Sequence, residues 1–250
     1  MPRYCFSRDG DGYLLRDLLN NQRPLRIDFT SPNIRRRSAQ AGKSELLLKA
    51  VGARVGLRIL DCTAGLGVDA FLMAAYGCEV TLIEQSTILG LMLEQAIDRA
   101  AGDPDLNPVA MRMHLHQTDA SRYLRALIAA TKISGTLSET LSNTLPEALP
   151  ETHEVKTSEA LEDGQPRFDV IYIDPMFPSR AKSAEVKGNM QVLQKFVGKT
   201  DNVEALLKHA LATNTRRVVV KRPLRGGDIA GYTPSFQQKA KSSRFDIFLQ

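Results

Sequence analysis

Apolar runs and helically spaced stretches alternate along this chain with a regular rhythm. Leu57-Arg58-Ile59-Leu60-Asp61 reads as a short buried strand, and an apolar helix follows from about Ala70 to Tyr76. Beyond Gly77-Cys78, the run Glu79-Val80-Thr81-Leu82-Ile83 reads as a second strand ending in Glu84. Ile88, Leu91, Met92 and Gln95 then recur at helical spacing over 87–99, and Gly102-Asp103-Pro104 stops that helix. Residues 111–117 alternate like a strand, with Met111, Met113 and Leu115 on one face, and a helix is predicted over about 120–131. A fourth strand spans 168–174, a helix lies near 203–213, and Arg217-Val218-Val219-Val220 is a fifth strand. The stretch 229–249 supplies a closing hairpin. Strands alternating with helices predict an α/β fold with a doubly wound, mostly parallel sheet.

One stretch breaks the rhythm. Residues 133–166 are rich in Ser, Thr, Glu and Pro, with no helical or strand period beyond scattered leucines, where a short turn would suffice. From Lys132 to Pro166 seven acidic residues face two lysines, a net of −5 that leaves +10 for the rest of the chain. This reads as a mobile acidic insertion, a solvated loop rather than a binding site.

Candidate chemistry begins after the first strand, at Cys62-Thr63-Ala64-Gly65-Leu66-Gly67-Val68-Asp69. Gly65 and Gly67 allow a tight turn and close approach of a ligand to the backbone; tight packing between strand and helix is the competing reading. Glu84, about twenty positions on, has the placement of a ribose-binding acid in nucleotide-binding βαβ units. Carboxylates at Asp61 and Asp69 would repel a pyrophosphate but suit the ammonium and sulfonium of S-adenosylmethionine. The acidic loop therefore favours S-adenosylmethionine over a dinucleotide, with Asp61 on the methionyl ammonium and Glu84 on the ribose.

Asp174-Pro175-Met176-Phe177-Pro178 leaves the tip of the fourth strand, where open α/β sheets bind their ligands. An Asp-Pro after a strand is also an ordinary turn. Here a carboxylate and turn carbonyls can hold an amino group while Phe177 stacks on a planar ring, the equipment for work on the exocyclic amine of a nucleobase. Asp174, Pro175 and Phe177 are the candidate catalytic residues.

Taken together, residues 61–70, Glu84-Gln85, Asp174-Pro-Met-Phe-Pro178 and Arg217-Val-Val-Val-Lys-Arg-Pro223 resemble the class I methyltransferase family called ribosomal RNA small subunit methyltransferase J. Arg26-Ile27-Asp28-Phe29, the 182–187 stretch and Arg244-Phe245-Asp246-Ile247 fit the same pattern, so the likeness runs from about Leu25 to Phe248 around one insertion. The resemblance implies a Rossmann-like domain with a seven-stranded sheet and a C-terminal antiparallel hairpin. It implies transfer of a methyl group from S-adenosylmethionine to the 2-amino group of one guanosine in 16S ribosomal RNA, free or within the small ribosomal subunit. Cofactor positions carry over to Val68-Asp69, Glu84-Gln85, Asp119-Ala120 and Asp174, beside Asp61, Gly65 and Gly67. The family often has Arg-Asp, Glu-Arg and two serines at the first three of these pairs, so any charge pairing at Val68 and Gln85 is lost while the carboxylates stay.

Composition fits this without having found it. The chain has 250 residues, a net charge of +5 and a pI near 9.1, which leans towards a polyanionic partner. Arg35-Arg36-Arg37 with Lys43, and Arg180, Lys182, Lys187, Lys195 with Lys199, form two basic clusters. Either is readable as a solvated face. The second leaves the loop that should hold the target base, so Arg180, Lys182, Lys187 and Lys195, joined by Lys221 and Arg222, are the candidate RNA contacts. Residues 1–50 are expected to pack on the substrate side of a methyltransferase domain spanning 51–250. Three cysteines without ligand spacing, four scattered histidines and no long apolar run predict no metal, no membrane span and a reducing, cytoplasmic setting. The alternatives are an amino-methyltransferase for adenine, cytosine or a protein glutamine, a non-catalytic RNA-binding protein on the same fold, or a nicotinamide dehydrogenase.

Overall fold

Strand β1 (Tyr4–Asp9) pairs antiparallel with β2 (Gly12–Asp17) through a turn at Gly10-Asp11, forming a hairpin that the periodicity above did not anticipate. The computed structural model describes residues 3–19, 23–40, 42, 45–140, 168–175, 196 and 203–250, with 131–140 as backbone only. Two helices follow the hairpin, α1 (Pro32–Gln40) and α2 (Leu46–Val51).

The main sheet holds β3 (Arg58–Asp61), β4 (Glu79–Glu84), β5 (Met113–Gln117), β6 (Val170–Ile173), β7 (Arg217–Pro223), β8 (Phe236–Lys239) and β9 (Ser243–Leu249). Their spatial order is β5-β4-β3-β6-β7-β9-β8. The first five run parallel, and β9 is antiparallel to both β7 and β8. This is the expected seven-stranded sheet closed by a C-terminal hairpin.

Alternation along the strands sorts side chains onto two cores. Ile59, Val80, Leu82, Val170, Tyr172 and Val219 face α2, α3 (Val68–Ala75) and α4 (Thr87–Ala101). Leu60, Ile83, Ile171, Ile173, Val218 and Val220 face α6 (Ala120–Thr140) and α7 (Val203–Leu211). Both faces are covered, which is why the inner parallel strands β3, β6 and β7 read as apolar runs, while the edge strand β5 alternates. The N-terminal stretch adds to the first core, with β2 packed on α4 and α1 on α3. Asp28, from the motif stretch before α1, accepts from the Thr30 N–H (2.9 Å) and lies 3.7 Å from Arg99 of α4, so it anchors this stretch.

Local signals set the boundaries. Ser86 caps α4 by accepting from the Leu89 N–H, and Asp119 accepts from the Arg122 N–H at 2.7 Å at the start of α6. Two expectations need correction. Residues 107–110 form a one-turn helix, α5 (Asn107–Ala110), so β5 starts at Met113 and Met111 is exposed instead of sharing its face. Helix α6 runs to Thr140, eight residues into the stretch assigned to an aperiodic loop. Extending a formed helix adds a hydrogen bond for each residue fixed, so weak formers such as Gly135 and Thr136 are carried behind the stronger segment before them. Residues 141–166, the rest of that stretch, lie outside the described residues.

Candidate active site

From β3 the chain moves outward to β4 and β5, then returns to the other side of β3 at β6. The crevice at the carboxyl ends of β3 and β6 is therefore the topological switch point of the sheet. Asp61 ends β3, and Asp174 follows β6. They are tied through Thr63, whose hydroxyl accepts the Asp174 N–H at 2.7 Å while its own N–H donates to Asp61 Oδ1 at 3.0 Å. Pro175 behind them is buried.

Strand register brings the remaining groups in. Ile173 pairs with Val220, so the next step along both strands sets Asp174 beside Lys221. The Lys221 ammonium lies 2.7 Å from the Asp174 carboxylate and 2.8 Å from that of Asp69, in the first turn of α3. Asp69 also accepts the Tyr172 hydroxyl at 2.8 Å. Two carboxylates thus share one ammonium, with the Tyr172 phenol on Asp69 and the Asp61 carboxylate nearby.

Proton affinities follow from that shortage of positive charge. Burial, aided by the charges of Asp69 and Asp174, lifts the Asp61 carboxyl to about 7 against the N–H of Thr63. Burial likewise lifts Asp174 to about 6, although Lys221 opposes it. Burial would raise Asp69 too, but the Lys221 ammonium and the Tyr172 hydroxyl hold it below the usual carboxylate range. Burial and the surrounding acids push the Tyr172 phenol far up, so it stays a donor. Lys221 is raised despite burial, because both carboxylates favour its charged form. At an effective dielectric of about 20, each unit-charge contact at 4 Å is worth about 4 kcal/mol, enough to make a further cation welcome here.

The glycine loop closes the other side. Glu84, buried at the end of β4, accepts the Gly65 N–H at 3.0 Å and the Ser86 N–H at 2.7 Å. The two glycines differ. Gly67 has φ 69°, and a Cβ there would sit 2.7 Å from Leu93 and 3.0 Å from Phe29, so packing demands it. Gly65 has φ 54° with no atom nearer than 3.7 Å to such a Cβ, so its outer side is open to a ligand.

Of the other sequence candidates, Val68 opens α3, Gln85 is exposed beside Glu84, Asp119 caps α6, and Ala120 is buried at its start. Arg222 donates to the Gly227 carbonyl at 2.8 Å. Phe177, Arg180, Lys182, Lys187 and Lys195 lie outside the described residues. Sequence reasoning missed Thr63 and Tyr172, and it assigned Lys221 to the rim. The signal for Tyr172 was a lone phenol in a buried aliphatic strand, which requires an acceptor. Among the described residues no cluster suits a metal ion, and no helix is long and apolar enough to cross a membrane.

A profile of the SAM-dependent methyltransferase family matches residues 11–134 and 138–250. "Ribosomal RNA small subunit methyltransferase J" of Pseudomonas aeruginosa (strain UCBPP-PA14) is 37% identical over 228 residues, covering 90% of this chain and 74% of that protein. The protein of the same name from Thioalkalivibrio sulfidiphilus is 37% identical over 229 residues, covering 90% and 76%. The chain belongs to the ribosomal RNA small subunit methyltransferase J family. A crystal structure of a SAM-dependent methyltransferase from Neisseria gonorrhoeae superposes with a TM-score of 0.63 at 30% identity, over 96% of this chain and 79% of that one.

Methyltransferase J family membership makes S-adenosylmethionine the methyl donor, and the crevice suits it. The donor is cationic at its ammonium and sulfonium, and the crevice sets the carboxylates of Asp61, Asp69 and Asp174 against one lysine. Glu84 keeps a buried carboxylate on the Gly65 N–H of the glycine loop.

Proposed function

We propose that this protein methylates the 2-amino group of a guanosine in small-subunit (16S) ribosomal RNA, in the cytoplasm, on free RNA or on the small ribosomal subunit. The observation that carries the reading is Asp174 at the tip of β6, held by the Thr63 hydroxyl and the Lys221 ammonium in a family of ribosomal RNA methyltransferases.

When bound, S-adenosylmethionine supplies a methyl group on a positively charged sulfur. Glu84 would hold its ribose hydroxyls and Asp61 its methionyl ammonium, with the Gly65 backbone beneath. Asp174 and the Pro175 carbonyl accept the two hydrogens of the target amine and draw its lone pair out of conjugation with the ring. As positive charge develops on that nitrogen, the Asp174 carboxylate interacts with it more strongly than with the neutral amine, which lowers the barrier. Lys221 holds Asp174 in place and favours its ionised form. With a proton affinity lifted to about 6, Asp174 is also a competent acceptor for the proton the nitrogen sheds. The sequence assigns to Phe177, outside the described residues, the stacking on a base turned out of its helix.

The test is methyl transfer from labelled S-adenosylmethionine to small-subunit ribosomal RNA, followed by mass analysis of the nucleosides. N2-methylguanosine at one position is expected, and Asp174→Asn should reduce turnover by about 10²-fold or more, the scale for one preorganised electrostatic contact. A methyl group on adenine, cytosine or protein, or no transfer, would overturn the assignment.

A further inference from the structure

Helix α1 contains three consecutive arginines, no acidic residue and no fully buried side chain. Its inner side is accounted for by packing. Ile34 lies against the core, and Arg35 donates to the Thr30 carbonyl at 3.0 Å while pairing with Asp103 and, at 3.6 Å, Asp105. The outer side is not. Asn33, Arg36, Arg37 and Gln40 fall at i, i+3, i+4 and i+7, one face of the helix. With Glu45 they line an open groove of about 480 Å³. Arg36 is exposed and has no ion-pair or hydrogen-bond partner among the described residues. Arg37 reaches Glu45 at 3.1 Å, so a carboxylate already stands where an anion would bind.

The groove adjoins the active site. Helix α1 packs on α3, whose first turn carries Asp69, and the Arg37 charge helps to hold the Asp69 carboxyl below its usual range. This closeness matters for an RNA substrate. A crevice with three carboxylates and one lysine repels the phosphates on either side of the nucleotide it must admit. Positive charge must then lie within about a Debye length, roughly 8 Å at physiological salt, to offset that repulsion.

We propose that the Asn33-Arg36-Arg37-Gln40 face of α1 binds the phosphodiester backbone of the RNA substrate beside the active site. The proposal rests on the RNA-methyltransferase reading above. Guanidinium forks match phosphate oxygens bidentately, and the Asn33 and Gln40 amides donate to phosphate or sugar. Glu45 competes with phosphate for Arg37. A helix that is merely solvated would show none of this dependence.

The experiment measures binding of a full-length small-subunit ribosomal RNA transcript across a salt series, with S-adenosylmethionine affinity by calorimetry, for the parent, Arg36→Glu, Arg36→Gln and Glu45→Gln. Arg36→Glu should weaken RNA binding by roughly tenfold and lower the slope of log affinity against log salt by about 1. Arg36→Gln should show the same change at smaller amplitude, Glu45→Gln should tighten RNA binding, and donor affinity should stay at the parental value in all three. Parental RNA affinity and slope in Arg36→Glu would overturn the groove, as would matched losses of donor affinity and thermal stability. Failure of the parent to methylate both this transcript and the small ribosomal subunit would instead overturn the function, and the affinity series would still decide the groove.

Discussion

Lys221 and Asp174 stand one step beyond the last register pair of β6 and β7, with 2.7 Å between ammonium and carboxylate. The parallel ladder itself therefore aims a cation at the carboxylate that meets the substrate amine. Lys221→Met removes that cation and leaves Asp69 and Asp174 to repel each other. Asp174, already lifted to about 6 with Lys221 in place, should rise further. Turnover at pH 7 should fall about 10²-fold, and the acidic limb of the pH–rate profile should move upward in pH. An unshifted limb would show that Lys221 does not govern Asp174.

Tyr172→Phe deletes only the hydroxyl that Asp69 accepts, leaving Lys221 in place. The expected cost is about 1 kcal/mol of stability by denaturant unfolding, the usual scale for one hydrogen bond. Turnover should fall about threefold to thirtyfold as the Asp69–Lys221 pair loosens, with donor affinity less affected. Parental turnover would make the phenol purely a packing residue.

Asp61 sets stability against donor binding. Its carboxyl is lifted from an ordinary value to about 7, so the folded protein holds a proton that the unfolded chain has released. Stability then falls as pH rises from about 4 through about 7, and the full penalty is present above that window. Asp61→Asn does not titrate. Its melting temperature without donor should exceed the parental one at pH 8 by about 2–6 °C, with the difference shrinking towards pH 4. Its affinity for S-adenosylmethionine should drop by about 1–3 kcal/mol in calorimetry. A variant no more stable than the parent at pH 8 would contradict the raised proton affinity.

Gly65→Ala and Gly67→Ala should separate binding from folding. Both residues have positive φ, which costs a side-chain-bearing residue about 1–2 kcal/mol. Only at Gly67 does the new methyl also strike Leu93 and Phe29, so its loss of stability should be larger by about 1–3 kcal/mol. Gly65→Ala should fold with the smaller loss yet bind the donor more weakly. Thermal melts with and without S-adenosylmethionine distinguish the two, and equal losses would mean that both glycines serve packing.

Strands β3, β4, β6 and β7 were legible because they are largely buried on both sides and read as apolar runs, and β5 because its residues alternate. Asp61, Asp69, Glu84 and Asp174 were legible as well, since charged residues at the ends of such runs stand out. Lys221 was not. Its partners lie 152 and 47 positions away, and only the β6–β7 register puts them together. The N-terminal hairpin escaped for a local reason: β1 is mostly exposed, so its alternation carries little hydrophobic contrast. Helix α6 outran its expected end because propagation tolerates residues that would not start a helix.

Phe29 stacks on Phe71 of α3 with ring centroids 4.7 Å apart, and the same ring closes on Gly67 at the donor loop. Three residues later the chain enters α1. Loop and helix therefore belong to one packing unit, and their ligands are thermodynamic neighbours. Any free energy by which the donor tightens the Phe29 contact must return, by reciprocity, as an equal change in affinity for whatever α1 holds. Donor and RNA would then bind with cooperativity rather than independently, and substitutions of Phe29 would uncouple the two without touching either ligand.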